Sequence, residues 1–124
     1  WCIGDALNNA LLNKAGIHRF ASLSLPMDET LTSCSLDVSG RPWLEWRVIL
    51  PNEKIGGIDS EIFQEFFRAF AQSAKMTIHI ENNYGSNTHH IIESCFKVLA
   101  ICLRNSLSIM QRNKDVIPST KGVI

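Results

Sequence analysis

The chain has no excess of charge of either sign: twelve Lys and Arg residues stand against twelve Asp and Glu. That balance gives no basic footprint for nucleic acid and none for an anionic membrane surface, so neither partner is expected. There is no long apolar run either. The longest, Val98 to Leu103, falls far short of the roughly 20 residues that a membrane-spanning helix needs. CxxC pairs are absent. The four cysteines, Cys2, Cys34, Cys95 and Cys102, read as small core thiols in a reducing compartment rather than as a disulfide framework. No repeat, low-complexity tract or signal peptide is visible within these residues. The first residue is Trp1, and the chain opens directly inside an apolar helical pattern, from which a preceding segment is expected.

What is present is one domain or part of one: 124 residues, 45% hydrophobic and 19% charged, enough to bury a real core. Residues 1–14 set Ile3, Leu7, Ala10 and Leu11 at helical spacing, ending near Lys14 and Gly16. Three strands are expected next. Ala21, Leu23 and Leu25 alternate with serines; Cys34, Leu36 and Val38 alternate with Ser33, Ser35 and Asp37; Leu44, Trp46, Val48 and Leu50 alternate with Glu45 and Arg47. "SGRP", residues 39–42, is short enough to join the last two as a hairpin.

The loop "KIGGIDS" leads to a second helix capped by Asp59 or Ser60. Its apolar face is Ile62, Phe63, Phe66, Phe67 and Phe70, and its polar face Glu61, Glu65, Arg68 and Gln72. Met76, Ile78 and Ile80 alternate in a fourth strand, and a third helix is expected from about Thr88 to Ser108. The order predicts an α+β fold: a four-stranded sheet with helices packed on one face. The leading helix is the odd piece, because a complete unit follows it.

Chemistry concentrates in "NTHHIIESCFK", residues 87–97. Successive helical residues lie about 100° apart, so His89 and His90 do not readily chelate one ion together. His89 and Glu93 share a face one turn apart, Lys97 extends that stripe, and His90 lies within reach of Glu93 from the side. Such geometry suits two ions, one on each flank. Imidazole with carboxylate favours manganese, iron, zinc or nickel over calcium. A solvated helix N-terminus, with Glu93 paired to Lys97, fits the same letters equally well. Two histidines and one glutamate cannot fill two octahedral ions, so other ligands must come from elsewhere. Arg19, Arg41, Lys97 and Lys121 fall at ends of elements or in a loop, where side chains can converge. "PSTKG" adds two hydroxyls that suit a phosphate. Taken singly, each is an ordinary solvated charge.

"KAGIHRF", "MDETL", "DVSGRPW", "EKIGGIDSEIFQEFFRAF", "NTHHIIESCFK" and "PSTKG" stand in the order and spacing found in imidazoleglycerol-phosphate dehydratase, an enzyme of histidine biosynthesis. The chain resembles that family from end to end. The resemblance implies one half of a two-half repeat fold, each half a four-stranded sheet with helices and one HHxxE motif. It implies a cytoplasmic homo-oligomer of cubic symmetry, roughly 24 subunits in the complete enzyme, with two manganese ions per complete site at subunit contacts.

By resemblance, His89, His90 and Glu93 are metal ligands. Arg19, Arg41, Lys97, Ser119 and Lys121 grip a phosphate-bearing small-molecule substrate. Glu65 falls where many relatives carry a metal-binding histidine. A carboxylate can serve there, and a solvated Glu65 beside Arg68 fits as well. His79 reads as structural. The implied reaction removes water from imidazoleglycerol phosphate to give imidazole-acetol phosphate. Manganese stabilises the ring as an imidazolate while a glutamate acts as general base.

Residues 1–14 are expected to be the terminal helix of a first half-domain, and residues 15–124 the second half-domain. The general base, unknown within this chain, is expected in the first half. Two other roles remain open: an inactive half-domain with a partial metal and phosphate site, or a structural subunit that needs other chains. The apolar face Ile3, Leu7 and Leu11 is expected to be exposed in an isolated half, which favours aggregation or obligate partnering.

Overall fold

The computed structural model describes residues 1–124. Helix α1 (Cys2–Ala10) is followed by β1 (Phe20–Met27), β2 (Thr30–Asp37) and β3 (Trp43–Arg47). A small hairpin, β4 (Lys54–Ile55) with β5 (Ile58–Asp59), precedes α2 (Glu61–Ala74), β6 (Thr77–Tyr84) and α3 (Thr88–Leu107). The fold is the α+β arrangement that the alternation predicts, with one four-stranded mixed sheet in the order β1-β2-β6-β3.

That order overturns the expected hairpin at "SGRP". β6 lies between β2 and β3, antiparallel to the first and parallel to the second, so residues 39–42 reverse the chain across the end of β6 instead of pairing β3 directly with β2. The reason is burial. Ile78 and Ile80 of β6 are fully buried and take a central position, whereas β3, exposed at both ends, takes an edge.

The alternation sorts the two faces. Cys34, Leu36, Ile78 and Ile80 point into the core beneath the helices. The opposite face is open and polar, with Ser22 meeting Ser35 and Ser24 meeting Ser33, each pair 2.8 Å apart. Cross-strand hydroxyl pairs of this kind satisfy side chains that the helices leave uncovered. α3 lies across β1 and β2, α2 over β3, and α1 against α2.

Phe67 anchors the core, its ring 5.0 Å from Trp46 and 4.8 Å from Phe96; burying such a side chain is worth about 3 kcal/mol. The rest of the α2 apolar stripe is less covered than its spacing suggests. Ile62 is 55% and Phe66 40% exposed, because the sheet offers α2 only the edge strand β3. Ser60 occupies the N-cap position of α2 without a side-chain capping bond, and Asp59 pairs with Lys54 across the small hairpin instead. Gly56 and Gly57 turn that hairpin at φ +56° and +84°, values that favour glycine at both central positions. The four thiols are free, and all but Cys2 are buried.

Helix α1 corrects another expectation. Leu7 and Leu11 pack on the core cluster, leaving Ile3 as the exposed member of the trio. Gly4 makes the docking possible. A Cβ at this position would lie 2.8 Å from Ala74 N and 2.9 Å from Phe70 O, so only glycine lets the two helices come this close.

Candidate functional site

Helix α3 builds the first cluster. Asn87 caps it, its Oδ1 accepting from the N–H groups of His89 (2.9 Å) and His90 (3.3 Å), which sets both histidines in the first turn. Their rings diverge, with centroids 6.3 Å apart and planes at 67°, as the helical step requires. His89 Nε2 stands 3.2 Å from Glu93 Oε2, and Lys97 Nζ donates to Glu93 Oε1 at 2.7 Å. The Lys97 ammonium, with His89 contributing less, holds the Glu93 carboxyl below its usual range.

His90 turns away from Glu93 to the two-residue loop between β1 and β2, where Glu29 Oε2 lies 2.8 Å from its Nδ1 and Asp28 Oδ2 lies 3.8 Å away. The other Glu29 oxygen accepts from Asn87 N at 2.8 Å and Ser86 N at 3.3 Å. These bonds, His90 first, lower the Glu29 pKa to about 2. The same contact raises that of His90. Sequence reasoning gave Glu29 no role. The signal was faint: an acidic pair in a tight turn, whose meaning depends on β6 pairing with β2 and so bringing α3 to that end of the sheet.

The second cluster lies at the other end. Arg19, in the left-handed region at φ +71°, donates through Nε to Asp37 Oδ1 (2.7 Å) and through Nη2 to Asp37 Oδ2 (3.3 Å). Its Nη1 donates to Pro118 O at 2.8 Å, which tethers "PSTKG" beside it. Arg41 reaches Asp37 at 3.9 Å with its side chain 72% exposed. Ser119 Oγ accepts the N–H of Lys121 at 3.2 Å, and the Lys121 ammonium forms no ion pair. Asp37 also went unassigned from sequence, since nothing local marks it as the partner of a residue eighteen positions earlier.

The two clusters stand apart. β2 begins beside Glu29 and ends at Asp37, seven steps of about 3.3 Å, or roughly 23 Å. Lys97 joins the histidine end, since α3 runs on to Leu107 and places this lysine mid-helix instead of at an element end. Within this chain it does not converge with Arg19, Arg41 and Lys121. Glu65 projects from the exposed side of α2 and pairs with Arg68 at 3.0 Å. His79 is exposed on the open face of the sheet, opposite Ser35 on one side and Glu45 on the other. No three His, Cys, Asp or Glu side chains are arranged to hold a metal ion by themselves. An apolar hollow of about 390 Å³ flanks the first cluster, lined by Ile55, Ile58, Phe63, Ile92 and Phe96 with His89 and Glu93 at its side.

Two solved dehydratases share this build. A Staphylococcus aureus imidazoleglycerol-phosphate dehydratase superposes with a TM-score of 0.84 at 40% identity, covering 87% of this chain and 64% of that one. The Pyrococcus furiosus enzyme, solved with (S)-C348, gives 0.81 at 33% identity over 98% of this chain and 68% of that one. In sequence, imidazoleglycerol-phosphate dehydratase from Rhodopseudomonas palustris is 51% identical over 120 residues, which are 97% of this chain and 61% of that protein. The Agrobacterium fabrum protein of the same name is 50% identical over 122 residues, 98% and 62% respectively. A sequence model of the imidazoleglycerol-phosphate dehydratase family matches residues 1–103. The chain belongs to that family, and it spans about three fifths of the length of the curated relatives it matches.

Proposed function

We propose that this chain is part of a manganese-dependent imidazoleglycerol-phosphate dehydratase, a hydro-lyase of histidine biosynthesis that works as a cytoplasmic homo-oligomer. The separation of the two clusters carries this reading. One end offers imidazole and carboxylate, which suit manganese as donors; the other offers guanidinium and ammonium groups for a phosphate. A substrate of this size cannot span roughly 23 Å, so each end meets its complement on another copy or on a part of the protein outside these residues.

His89 with Glu93 serves one flank of α3 and His90 the other, two half-sites whose remaining ligands come from elsewhere. Manganese, when bound, supplies Lewis-acid stabilisation of charge on the substrate ring. The residues of this chain do the rest of the holding. Lys97 fixes Glu93, while Arg41, Ser119 and Lys121 receive the phosphate beside an Arg19 already braced by Asp37. The free buried thiols suit a reducing compartment.

Mixed oligomers test the composite site. His89→Ala and Arg41→Ala versions of the enzyme should each lack turnover, and dissociating and reassociating them together should restore part of it, because some sites then pair two intact ends. Folded variants that never complement each other would overturn the reading. An inactive half-domain that keeps partial metal and phosphate sites is the second reading, favoured by the lack of three donors arranged to hold a metal ion within the chain. It predicts manganese binding by this chain without formation of the ketone product.

A further inference from the structure

The Glu29 carboxylate does two things at once. Oε1 is committed as an acceptor to the N–H groups of Asn87 and Ser86 and to the Thr30 hydroxyl at 3.1 Å. Oε2 faces His90 Nδ1 at 2.8 Å. A glutamate carboxylate, ionised at neutral pH in its ordinary range, has only acceptors, so the hydrogen between the two groups, 2.8 Å apart, belongs to the imidazole. The proton sits on Nδ1, and the lone pair of the neutral ring is on Nε2.

We infer that Glu29 is the positioning residue of the His90 flank: it fixes the ring's tautomer and orientation so that Nε2, and not Nδ1, is offered to a metal. The inference rests on the reading of His90 as a ligand. Metal-bound histidines commonly donate their second ring N–H to a carboxylate, and loss of that partner typically costs 10- to 100-fold in affinity. Here the carboxylate comes from the β1–β2 loop, and its other oxygen ties the loop to the start of α3. The hairpin and the helix therefore set the ring together. His89 has no such brace. It shares Glu93 with Lys97, so the two adjacent histidines are held by different means.

Glutamine at position 29 gives a specific test. Its one oxygen must take the Oε1 place, where two backbone N–H groups need an acceptor. The amide NH₂ then faces His90, Nδ1 must accept, and the proton moves to Nε2. A residue that only capped the loop would leave the tautomer unchanged.

The experiment is a long-range ¹H–¹⁵N correlation of the histidine rings at about pH 9, where imidazole is neutral, on wild type and Glu29→Gln. A manganese titration followed by the paramagnetic resonance of the free ion accompanies it. The expected result is His90 protonated on Nδ1 in wild type and on Nε2 in the variant, His89 unchanged, and manganese affinity lowered roughly 10- to 100-fold. A wild-type ring protonated on Nε2, or a folded variant with an unchanged tautomer, would overturn the inference and leave the metal reading standing. Wild type that binds no manganese while showing the expected tautomers would remove the metal reading and, with it, the purpose assigned to Glu29. If the variant fails to fold, the wild-type spectrum still decides the assignment.

Discussion

The hydroxyls of Thr32 and Ser94 meet 2.6 Å apart in the core between β2 and α3. The direction of this bond follows from its neighbours. Ser94 Oγ donates to Ile91 O at 2.7 Å, so it accepts from Thr32, whose own oxygen accepts from Asn82 Nδ2 at 3.0 Å. One chain of donors thus runs from β6 through β2 into α3. Thr32→Val keeps the shape but leaves the buried Ser94 oxygen without its donor. Destabilisation of about 1–3 kcal/mol is expected, read as a lower denaturant midpoint at constant slope. An unchanged midpoint would mean that the chain of hydroxyls adds nothing.

Gly4 supplies the second prediction. A Cβ there would meet the closing turn of α2 at its backbone, 2.8 Å from Ala74 N and 2.9 Å from Phe70 O, and helix backbone packed this closely gives little. Gly4→Ala should push α1 off α2, uncover Leu7 and Leu11, and cost about 1–3 kcal/mol. Denaturation together with binding of a hydrophobic dye reports both effects. A variant as stable as wild type would show that α1 docks without needing the close approach.

Much of this fold was legible, and the reasons for the rest are physical. Alternation along residues 21–25, 33–38 and 76–80 marks strands directly, because side chains alternate between faces with period two. Strand order carries no such local mark. The crossing at "SGRP" is settled by how deeply Ile78 and Ile80 are buried relative to β3, which is a property of the whole sheet. Thr30 and Thr32 continue the buried face of Cys34 and Leu36, yet a polar letter hides that until Asn82 and Ser94 are seen to satisfy it. The stripe of His89, Glu93 and Lys97 was visible in the sequence because its i, i+4 spacing is helical. Glu29 and Asp37 were not, because each acts through a partner that only the sheet brings near.

The Glu29–His90 contact makes stability depend on pH in two directions. Glu29 is lowered from an ordinary 4.5 to about 2, so its contribution is present above about 4.5 and is lost as pH falls toward 2. His90 is raised from 6.5; its contribution is complete below that value and is lost as pH rises through the raised pKa. Asp28 and Glu93 also act on His90, more weakly. In the metal-free chain the pair therefore helps most between about pH 4.5 and 6.5. The stability difference between wild type and Glu29→Gln, measured across pH, should peak in that window and shrink on both sides. A difference that stays flat from pH 3 to 9 would show that the two groups do not titrate against each other.

The last prediction concerns the anion end. Arg19 is engaged twice by Asp37 and once by Pro118 O, so its charge is largely answered inside the protein. Lys121 forms no ion pair and Arg41 touches Asp37 only at 3.9 Å, which leaves both free to meet a phosphate. Lys121→Ala should therefore weaken binding of a phosphate-bearing imidazole by roughly 10- to 100-fold, the equivalent of one charge-assisted hydrogen bond. Binding of imidazole alone should be untouched. Arg19→Ala is different in kind. It removes the tether of the tail and strands Asp37, so it should lower stability as well as affinity. Calorimetric titrations with both ligands, alongside denaturation of each variant, separate the two roles. Equal losses for the two ligands in Lys121→Ala would take this residue out of the phosphate grip.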